Sequence, residues 1–213
     1  MQYIYAGLQG GEKAFFVSFD ETERVFMRRA RGLGMDLAPF IEQGRFAFRQ
    51  VDPAELSPGE LTALLREQVD AGARMVVVDS LSGYQHAMPQ EQLMLLQMHE
   101  IVAYLNQQGV LTFLILAQSG MVGQMNSPVD ITYLADSVLL LRFFEAKGEI
   151  RRAISALKKR TGAHETTIRE LMIDATGIRV GAKLDGFRGV LTGVPVLEGD
   201  AKLLENRDDR QRG

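Results

Sequence analysis

The chain has 213 residues, of which 46% are hydrophobic and 24% are charged, so it is long enough to fold around a sizeable core. Its formal net charge of -3 provides no excess of positive charge for a nucleic-acid backbone, and the absence of cysteine excludes disulfides, thiolate metal sites and cysteine nucleophiles. No apolar run approaches the roughly 18 residues of a membrane span. We therefore expect a cytoplasmic protein without a membrane or nucleic-acid partner.

Short apolar runs alternate with segments of helical periodicity in the first half of the chain, which predicts an α/β fold with a mostly parallel sheet. The predicted strands cover residues 14–19, 46–51, 75–78 and 110–117. The predicted helices cover residues 23–33, 57–71 and 90–107. The second of these helices begins with Ser57 and Pro58, a residue pair typical of a helix start. The third has apolar residues at positions 93, 96, 101 and 105.

The second half of the chain has a different pattern, with four successive strands and no helix between them. These predicted strands cover residues 137–144, 151–159, 167–173 and 178–180. Turn-forming sequences at 145–148 and 174–177 predict hairpins, and hence an antiparallel extension of the sheet. Beyond residue 183 the pattern weakens and charges accumulate, so we expect a main domain over residues 1–183 and a partly disordered tail over 184–213.

Polar residues follow three of the predicted parallel strands. Asp20 and Glu21 follow the first strand, Asp79 follows the third and Gln118 follows the fourth. The carboxyl ends of parallel strands line the ligand crevice of an open sheet, so these side chains can converge there. A carboxylate at this edge suits Mg²⁺ or the orientation of a water molecule. Taken alone, the same acidic residues also suit turns and helix caps, and both interpretations stay open on the residues.

Several segments in the same order resemble KaiC-like ATPases of the RecA superfamily. Residues 76–80 resemble a Walker B strand, and residues 13–22 resemble the acidic segment of that family. The similarity continues through residues 31–37, 134–141, 157–164 and 187–195. The resemblance implies a RecA-like P-loop NTPase core that assembles as a homo-oligomer, such as a hexameric ring, with ATP and Mg²⁺ between neighbouring subunits. The resemblance is also compatible with a regulatory protein partner.

The resemblance also implies roles for individual residues. Asp20 and Glu21 match the acidic pair that positions the attacking water, and Asp79 matches the acid associated with Mg²⁺. Gln118 matches the polar sensor position after the next strand. On the basic side, Lys158 and Arg160 match residues that reach a neighbour's nucleotide, and His164 follows them in the same segment. Phosphoryl transfer needs both acidic and basic residues, because acids hold the metal ion and the water while cations bind the γ-phosphate.

The main departure from the family pattern concerns the phosphate-binding loop; a smaller one is Asp20, which stands where the family more usually has Glu. A phosphate-binding loop needs Gly-x-x-x-x-Gly-Lys followed by Ser or Thr, and the sequence contains no such segment. Residues 1–7 resemble the end of the helix that follows this loop, so we expect the loop and its strand to lie before Met1. The sequence thus predicts an ATPase subunit that binds nucleotide poorly as it stands, and the alternative is a non-catalytic regulatory or assembly protein on a RecA-like scaffold.

Overall fold

A computed structural model describes residues 1–55, 57–87, 91–117, 131–146, 148–192 and 195–197. The chain divides into two compact units. The first unit comprises residues 1–117, 127–134 and 174–177, and the second comprises residues 118–126, 135–173 and 178–213. None of the helices in the described part of the chain has the length and apolar composition that a membrane span requires.

The first unit is built on a four-stranded parallel sheet with the strand order β2-β1-β3-β4. The strands are β1 (Ala14–Ser18), β2 (Phe46–Gln50), β3 (Met75–Asp79) and β4 (Leu111–Leu114). The helices are α1 (Gln2–Gln9), α2 (Glu23–Gly32), α3 (Ala38–Glu42), α4 (Pro58–Asp70), α5 (Leu81–Ala87) and α6 (Glu91–Gln107). The predicted parallel α/β arrangement is therefore confirmed.

Helices cover both faces of this sheet, because alternate residues of a strand point to opposite faces. On β1, Phe15 and Val17 belong to the apolar cluster that contains buried residues of α4 and α6. Ala14 and Phe16 belong to the other cluster, which contains buried residues of α1 and α2. All five β1 residues are buried, as expected for a central strand of a parallel sheet.

Two helix starts are specified by local sequence. The Thr22 hydroxyl accepts a hydrogen bond from the Val25 N–H and caps α2. At α4, Ser57 and Glu60 form a reciprocal capping box, and a proline occupies the first turn. Such caps satisfy backbone N–H groups that have no partner within the helix, so the predicted starts at 23 and 57 agree closely with the observed ones.

Only some of the apolar residues that predicted α6 face the core. Ile101 and Leu105 are buried, whereas Leu93 and Leu96 are 42% and 67% exposed. The core contains Met94 and Met98, along with Ile101 and Leu105, in place of the two exposed leucines. Unbranched methionine side chains fill irregular gaps in a core. When leucines occupy neighbouring positions, apolar spacing alone therefore does not show which side of the helix is buried.

The second unit contains the antiparallel sheet except for the β7–β8 turn, residues 174–177, and the strand order is β5-β6-β7-β8. Its strands are β5 (Ser137–Ala146), β6 (Glu149–Lys159), β7 (Arg169–Asp174) and β8 (Gly177–Lys183). A short pair, β9 (Phe187–Arg188) and β10 (Val196–Leu197), follows them. Phe144, Ala146, Ala153 and Val190 form the buried core of this unit. The predicted antiparallel strands are therefore confirmed, although in the described residues they form a separate sheet and do not extend the parallel one.

Candidate functional site

Three carboxylates gather at the carboxyl edge of the parallel sheet. β1 and β3 are neighbours, and their register pairs Ser18 with Asp79. Asp79 ends β3, while Asp20 and Glu21 come two and three residues after Ser18. The Phe19 N–H donates a hydrogen bond of 2.8 Å to the Asp79 backbone oxygen and continues the pairing beyond the strand. The structure thus brings together the acidic residues that the sequence predicted at separate strand ends.

Asp20 is held by the segment that follows β3. The Ser80 hydroxyl donates to Oδ2 of Asp20 at 3.3 Å, and the Gly83 N–H donates to the Ser80 hydroxyl at 3.3 Å. A Cβ atom at Gly83 would lie 3.2 Å from Oδ1 of Asp20 and 3.2 Å from Cβ of Phe19. A residue with a side chain at position 83 would therefore crowd Asp20.

Glu21 is held by an arginine of α2. The Glu21 N–H donates to the Ser18 hydroxyl at 3.0 Å. Nε of Arg29 donates to Oε1 of Glu21 at 3.0 Å, and Nη2 of Arg29 donates to Oε2. The Arg29 guanidinium also lies 5.5 Å from the ring centroid of Phe26. This two-point contact fixes the orientation of the Glu21 carboxylate.

Sequence reasoning missed Arg29. The helix α2 contains four arginines, and no local pattern distinguishes the one that pairs with Glu21. The side chains of Glu21 and Arg29 are 19% and 47% exposed, so the pair is partly withdrawn from water. Its hydrogen bond with Glu21 raises the pKa of Arg29, which keeps the guanidinium charged.

The edge carries more negative than positive charge. Burial raises the pKa of the Asp79 carboxyl; the Arg29 guanidinium opposes this, and the carboxylates of Asp20 and Glu21 add to it. Each of these neighbours is therefore close enough to Asp79 to change its ionisation. The Met1 amino group also opposes the shift, but the three carboxylates still outnumber these two positive groups, and the imbalance favours a further cation at the edge.

The donor set fits Mg²⁺ in its chemistry. Mg²⁺ takes oxygen ligands and is commonly held by one or two protein carboxylates together with water and substrate phosphates. Among the described residues, no group of three or more potential ligands is arranged to hold a metal ion unaided. The acidic edge therefore suits a metal ion that arrives with a phosphate ligand. The sequence has no phosphate-binding loop to hold such phosphates.

The predicted basic residues lie in the second unit. Lys158 is part of β6 and is paired with Val138. Nη1 of Arg160 forms an ion pair of 2.9 Å with Oδ1 of Asp136, and the Arg160 N–H donates to the Asp136 backbone oxygen at 2.7 Å. His164 is exposed in the segment between β6 and β7. The nucleotide roles of these residues remain predictions, and Gln118 lies outside the described residues.

The sheet order and the edge define a class of protein. A parallel sheet flanked by helices on both faces, with acids at its carboxyl edge and antiparallel strands following, is a RecA-like α/β core. The chain belongs to the KaiC ATPase family, because the family model described as "ATPase: KaiC" matches residues 1–185.

Curated relatives agree with this placement. The chain is 24% identical to the circadian clock protein KaiC3 of Synechocystis sp. over 95% of its length, covering 40% of that protein. It is 23% identical to the circadian clock oscillator protein KaiC of Thermostichus vulcanus over 91% of its length, covering 38% of that protein. A similar protein from Synechococcus elongatus is 24% identical over 86% of this chain, which covers 36% of it. The chain thus spans about two fifths of the length of the relatives it matches.

Proposed function

We propose that this chain supplies the acidic side of an ATP-hydrolysing site of the KaiC type, in a domain formed by residues 1–183 with a tail over 184–213. The observation that carries the proposal is the convergence of Asp20, Glu21 and Asp79 at one sheet edge, with Arg29 as their counter-ion. Parallel α/β sheets bind their ligands at this edge.

In this proposal Asp79 is the carboxylate associated with Mg²⁺, because it ends the central strand β3 and is partly buried. Bound Mg²⁺ would neutralise charge on the phosphate oxygens during phosphoryl transfer. The raised pKa of Asp79 reflects burial and the neighbouring carboxylates, and a cation at the edge would relieve this repulsion.

Glu21 and Asp20 have different parts in the proposal. Arg29 fixes the Glu21 carboxylate from one side, so a water molecule bound to the remaining lone pairs of Glu21 would be held in one direction. Asp20 is tied to Ser80 and is one methylene shorter, so it supports the negative edge and has a shorter reach toward a substrate. Arg29 is therefore a positioning residue for Glu21.

The basic side of the site comes from a neighbouring subunit. Lys158 and Arg160 would contact the nucleotide bound by the acidic edge of the next copy, with His164 close to them in sequence and Gln118 as the polar sensor. The oligomer would be a ring, such as a hexamer, in the cytoplasm. Electrostatic stabilisation of the γ-phosphate by positioned cations is the physical reason for this sharing.

A second candidate is a non-catalytic regulatory or assembly protein. Two observations favour it: the sequence contains no phosphate-binding loop, and both oxygens of Glu21 are already engaged by Arg29. In that case the RecA-like scaffold would serve as a surface for a protein partner.

Calorimetric titration of the full chain with ATP, with and without Mg²⁺, is the first test. We expect Mg²⁺-dependent binding with a dissociation constant on the order of 1 mM or weaker, since no loop cradles the phosphates. Asp79→Asn is expected to remove the Mg²⁺ dependence. The control Asp52→Asn, in an exposed turn, is expected to bind like wild type.

Micromolar affinity would contradict the expectation of poor nucleotide binding. Equal Mg²⁺ dependence in wild type and Asp79→Asn would contradict the role of Asp79. A wild-type chain that shows no Mg²⁺-dependent binding at all would support the non-catalytic candidate.

Phosphate release at saturating Mg-ATP tests the water-positioning role. Glu21→Gln is expected to lower the rate by about 100-fold or more, because an amide does not accept the water's proton, and to leave affinity unchanged. The control Glu12→Gln, an exposed residue, is expected to retain the rate.

Mixing Arg160→Ala subunits with Asp79→Asn subunits should restore part of the activity if the site is shared, whereas purely additive loss would place it within one chain.

A further inference from the structure

The outer face of α2 carries three arginines. Arg24, Arg28 and Arg31 are spaced four and three residues apart, so they lie on the same side of the helix, and all three are exposed. The opposite side of α2 contributes the buried Phe26 and Ala30 to the core. Since an α-helix rises about 1.5 Å per residue, the three arginines span about 10 Å along its axis. We call them the α2 stripe.

The charge of the α2 stripe is largely unbalanced. Within the part of the chain that the structure describes, Arg24 and Arg28 make no salt bridge. Arg31 makes one long contact, 3.7 Å from Nε to Oδ1 of Asp36, and both of these side chains are more than half exposed. The α2 helix therefore presents more positive charge than its described surroundings neutralise.

The arrangement of the α2 stripe is unfavourable for the helix taken alone. Arg24 is the second residue of α2, and the helix dipole disfavours a cation in the first turn. Arg28 lies four residues after Arg24 and three before Arg31, and like charges at these spacings repel each other. Helix stability therefore does not account for the α2 stripe, whereas a bound anionic group would relieve both effects.

The groove beside the α2 stripe limits which anionic partner fits. The three arginines line it together with Glu23 and Met27. The acid in the groove disfavours a ligand that carries negative charge alone, such as a nucleic-acid strand, and the net charge of -3 adds no attraction for one. A lipid surface does not fit either, because the apolar side of α2 is buried in the core and is not available to enter a membrane.

We propose that the α2 stripe binds an acidic helix of a partner protein. A guanidinium donates two parallel hydrogen bonds to one carboxylate, which suits a stripe of arginine alone on a helix that contains no lysine. A helix with acidic residues at positions i, i+4 and i+7 presents three carboxylates at the spacing of the α2 stripe. Met27 supplies an apolar contact in the same groove.

This contact is weak and depends on salt. Exposed ion pairs contribute little individually, and screening acts over about 8 Å at physiological ionic strength. A contact between two helices is also smaller than the roughly 800 Å² per partner of a standard stable interface. The contact goes beyond the proposed ATP site, because it uses none of that site's residues and needs no nucleotide.

Fluorescence anisotropy with a labelled acidic peptide is the experiment. The probe is an alanine-rich helical peptide of about 18 residues with glutamates at successive spacings of four and three residues. We expect the full chain to bind it in about 20 mM sodium chloride with a dissociation constant on the order of 100 μM, and at least about tenfold more weakly in about 0.5 M. The same peptide with glutamine in place of glutamate is the control probe and should not bind.

The variant Arg24→Gln with Arg28→Gln tests the α2 stripe itself. We expect it to bind the glutamate peptide at least about tenfold more weakly, and glutamine keeps the helix propensity of arginine. The matched control is Arg49→Gln with Arg74→Gln, which removes the same charge at exposed positions outside α2 and should bind like wild type. Circular dichroism checks folding, and the single variant Arg28→Gln serves if the double variant does not fold.

A wild-type chain that does not bind the glutamate peptide at low salt overturns the proposal, and so does equal binding by the α2 variant and its control. Tighter binding of a duplex oligonucleotide or of anionic lipid vesicles, with the same dependence on Arg24 and Arg28, would assign the α2 stripe to those ligands and also overturn it. Asp79→Asn is expected to bind the peptide like wild type, so failure of the ATP site and failure of this contact are separately visible.

Discussion

Acidic side chains are balanced differently in the two compact units. In the first unit, the Arg29 guanidinium is hydrogen-bonded to Glu21 and also acts on Asp79, which has the carboxylates of Asp20 and Glu21 as neighbours at the sheet edge. In the second unit, each of three acids has an arginine of its own. These pairs are Arg151–Glu170, Arg160–Asp136 and Arg169–Glu165, with closest N–O distances of 2.6, 2.9 and 3.1 Å.

The difference leaves negative charge that is not fully balanced at one sheet edge of the first unit. An acid with its own arginine is neutralised by the fold and has no need of another cation. At the sheet edge, burial raises the pKa of Asp79, the carboxylates of Asp20 and Glu21 add to the shift, and a cation that binds there would be stabilised by these acids. This contrast, more than the number of acids, distinguishes the carboxyl edge of the parallel sheet as the candidate site.

The largest effect is expected from removal of Arg29, which tests whether the acids of the first unit depend on this arginine. In Arg29→Gln, Glu21 loses the partner of both its carboxylate oxygens, and its side chain is only 19% exposed. We expect the free energy of unfolding to fall by about 1–2 kcal/mol. Urea denaturation followed by circular dichroism measures it.

The control is Arg160→Gln, in which the lost pair has side chains that are 54% and 58% exposed. Exposed pairs of this kind contribute below about 1 kcal/mol. Equal losses of unfolding free energy in the two variants would show that Arg29 stabilises the fold no more than an exposed ion pair does.

The pH dependence of the melting temperature of Asp79→Asn tests the raised pKa of Asp79 at the sheet edge. The folded chain holds the Asp79 proton more tightly than the unfolded chain, because the pKa of Asp79 is raised from 3.8. Its contribution to stability is therefore full below that ordinary value and is lost as the pH rises through the raised pKa. Asparagine does not titrate, so the melting temperature of Asp79→Asn relative to wild type should increase from about pH 4 to about pH 8. A difference that stays constant with pH would contradict the raised pKa.

The smallest expected effect is at Glu165 in the second unit, where the pKa is lowered, in contrast to the raised pKa of Asp79. Hydrogen bonds from Thr167, with further help from Arg169, lower the pKa of Glu165 from 4.5 to about 2. This contribution to stability is present above pH 4.5 and is lost as the pH falls toward 2. Thr167→Val removes the hydroxyl that donates to Oε1 of Glu165 at 2.6 Å.

Titration of the Glu165 carboxyl carbon by NMR should then show a pKa that moves upward, toward the ordinary value. Thr132→Val, at a position away from Glu165 in sequence, is the control and should leave this titration unchanged. An unaltered pKa in Thr167→Val would show that the hydroxyl is not the main cause of the shift.

Much of the fold follows from local sequence. The parallel strands, the helix starts at Thr22 and Ser57 and the antiparallel strands could be predicted, because apolar periodicity and capping involve residues close together in the chain. Three short helices were not predicted from periodicity: α1, α3 and α5 have at most eight residues, which is too few turns for a clear apolar period. The core positions of α6 were predicted only in part, because Leu93 and Leu96, two of the apolar residues that indicated the helix, are exposed.

The sequence by itself determined the α/β class, the similarity to the KaiC family and the positions of acids at strand ends. Only the tertiary structure decided which partners those acids have. Ser80 contacts Asp20 across 60 residues of sequence, and Arg29, among the four arginines of α2, pairs with Glu21. Strand ends are marked by local composition, whereas the neighbours of a side chain depend on how distant strands and helices pack, and no local pattern carries that information.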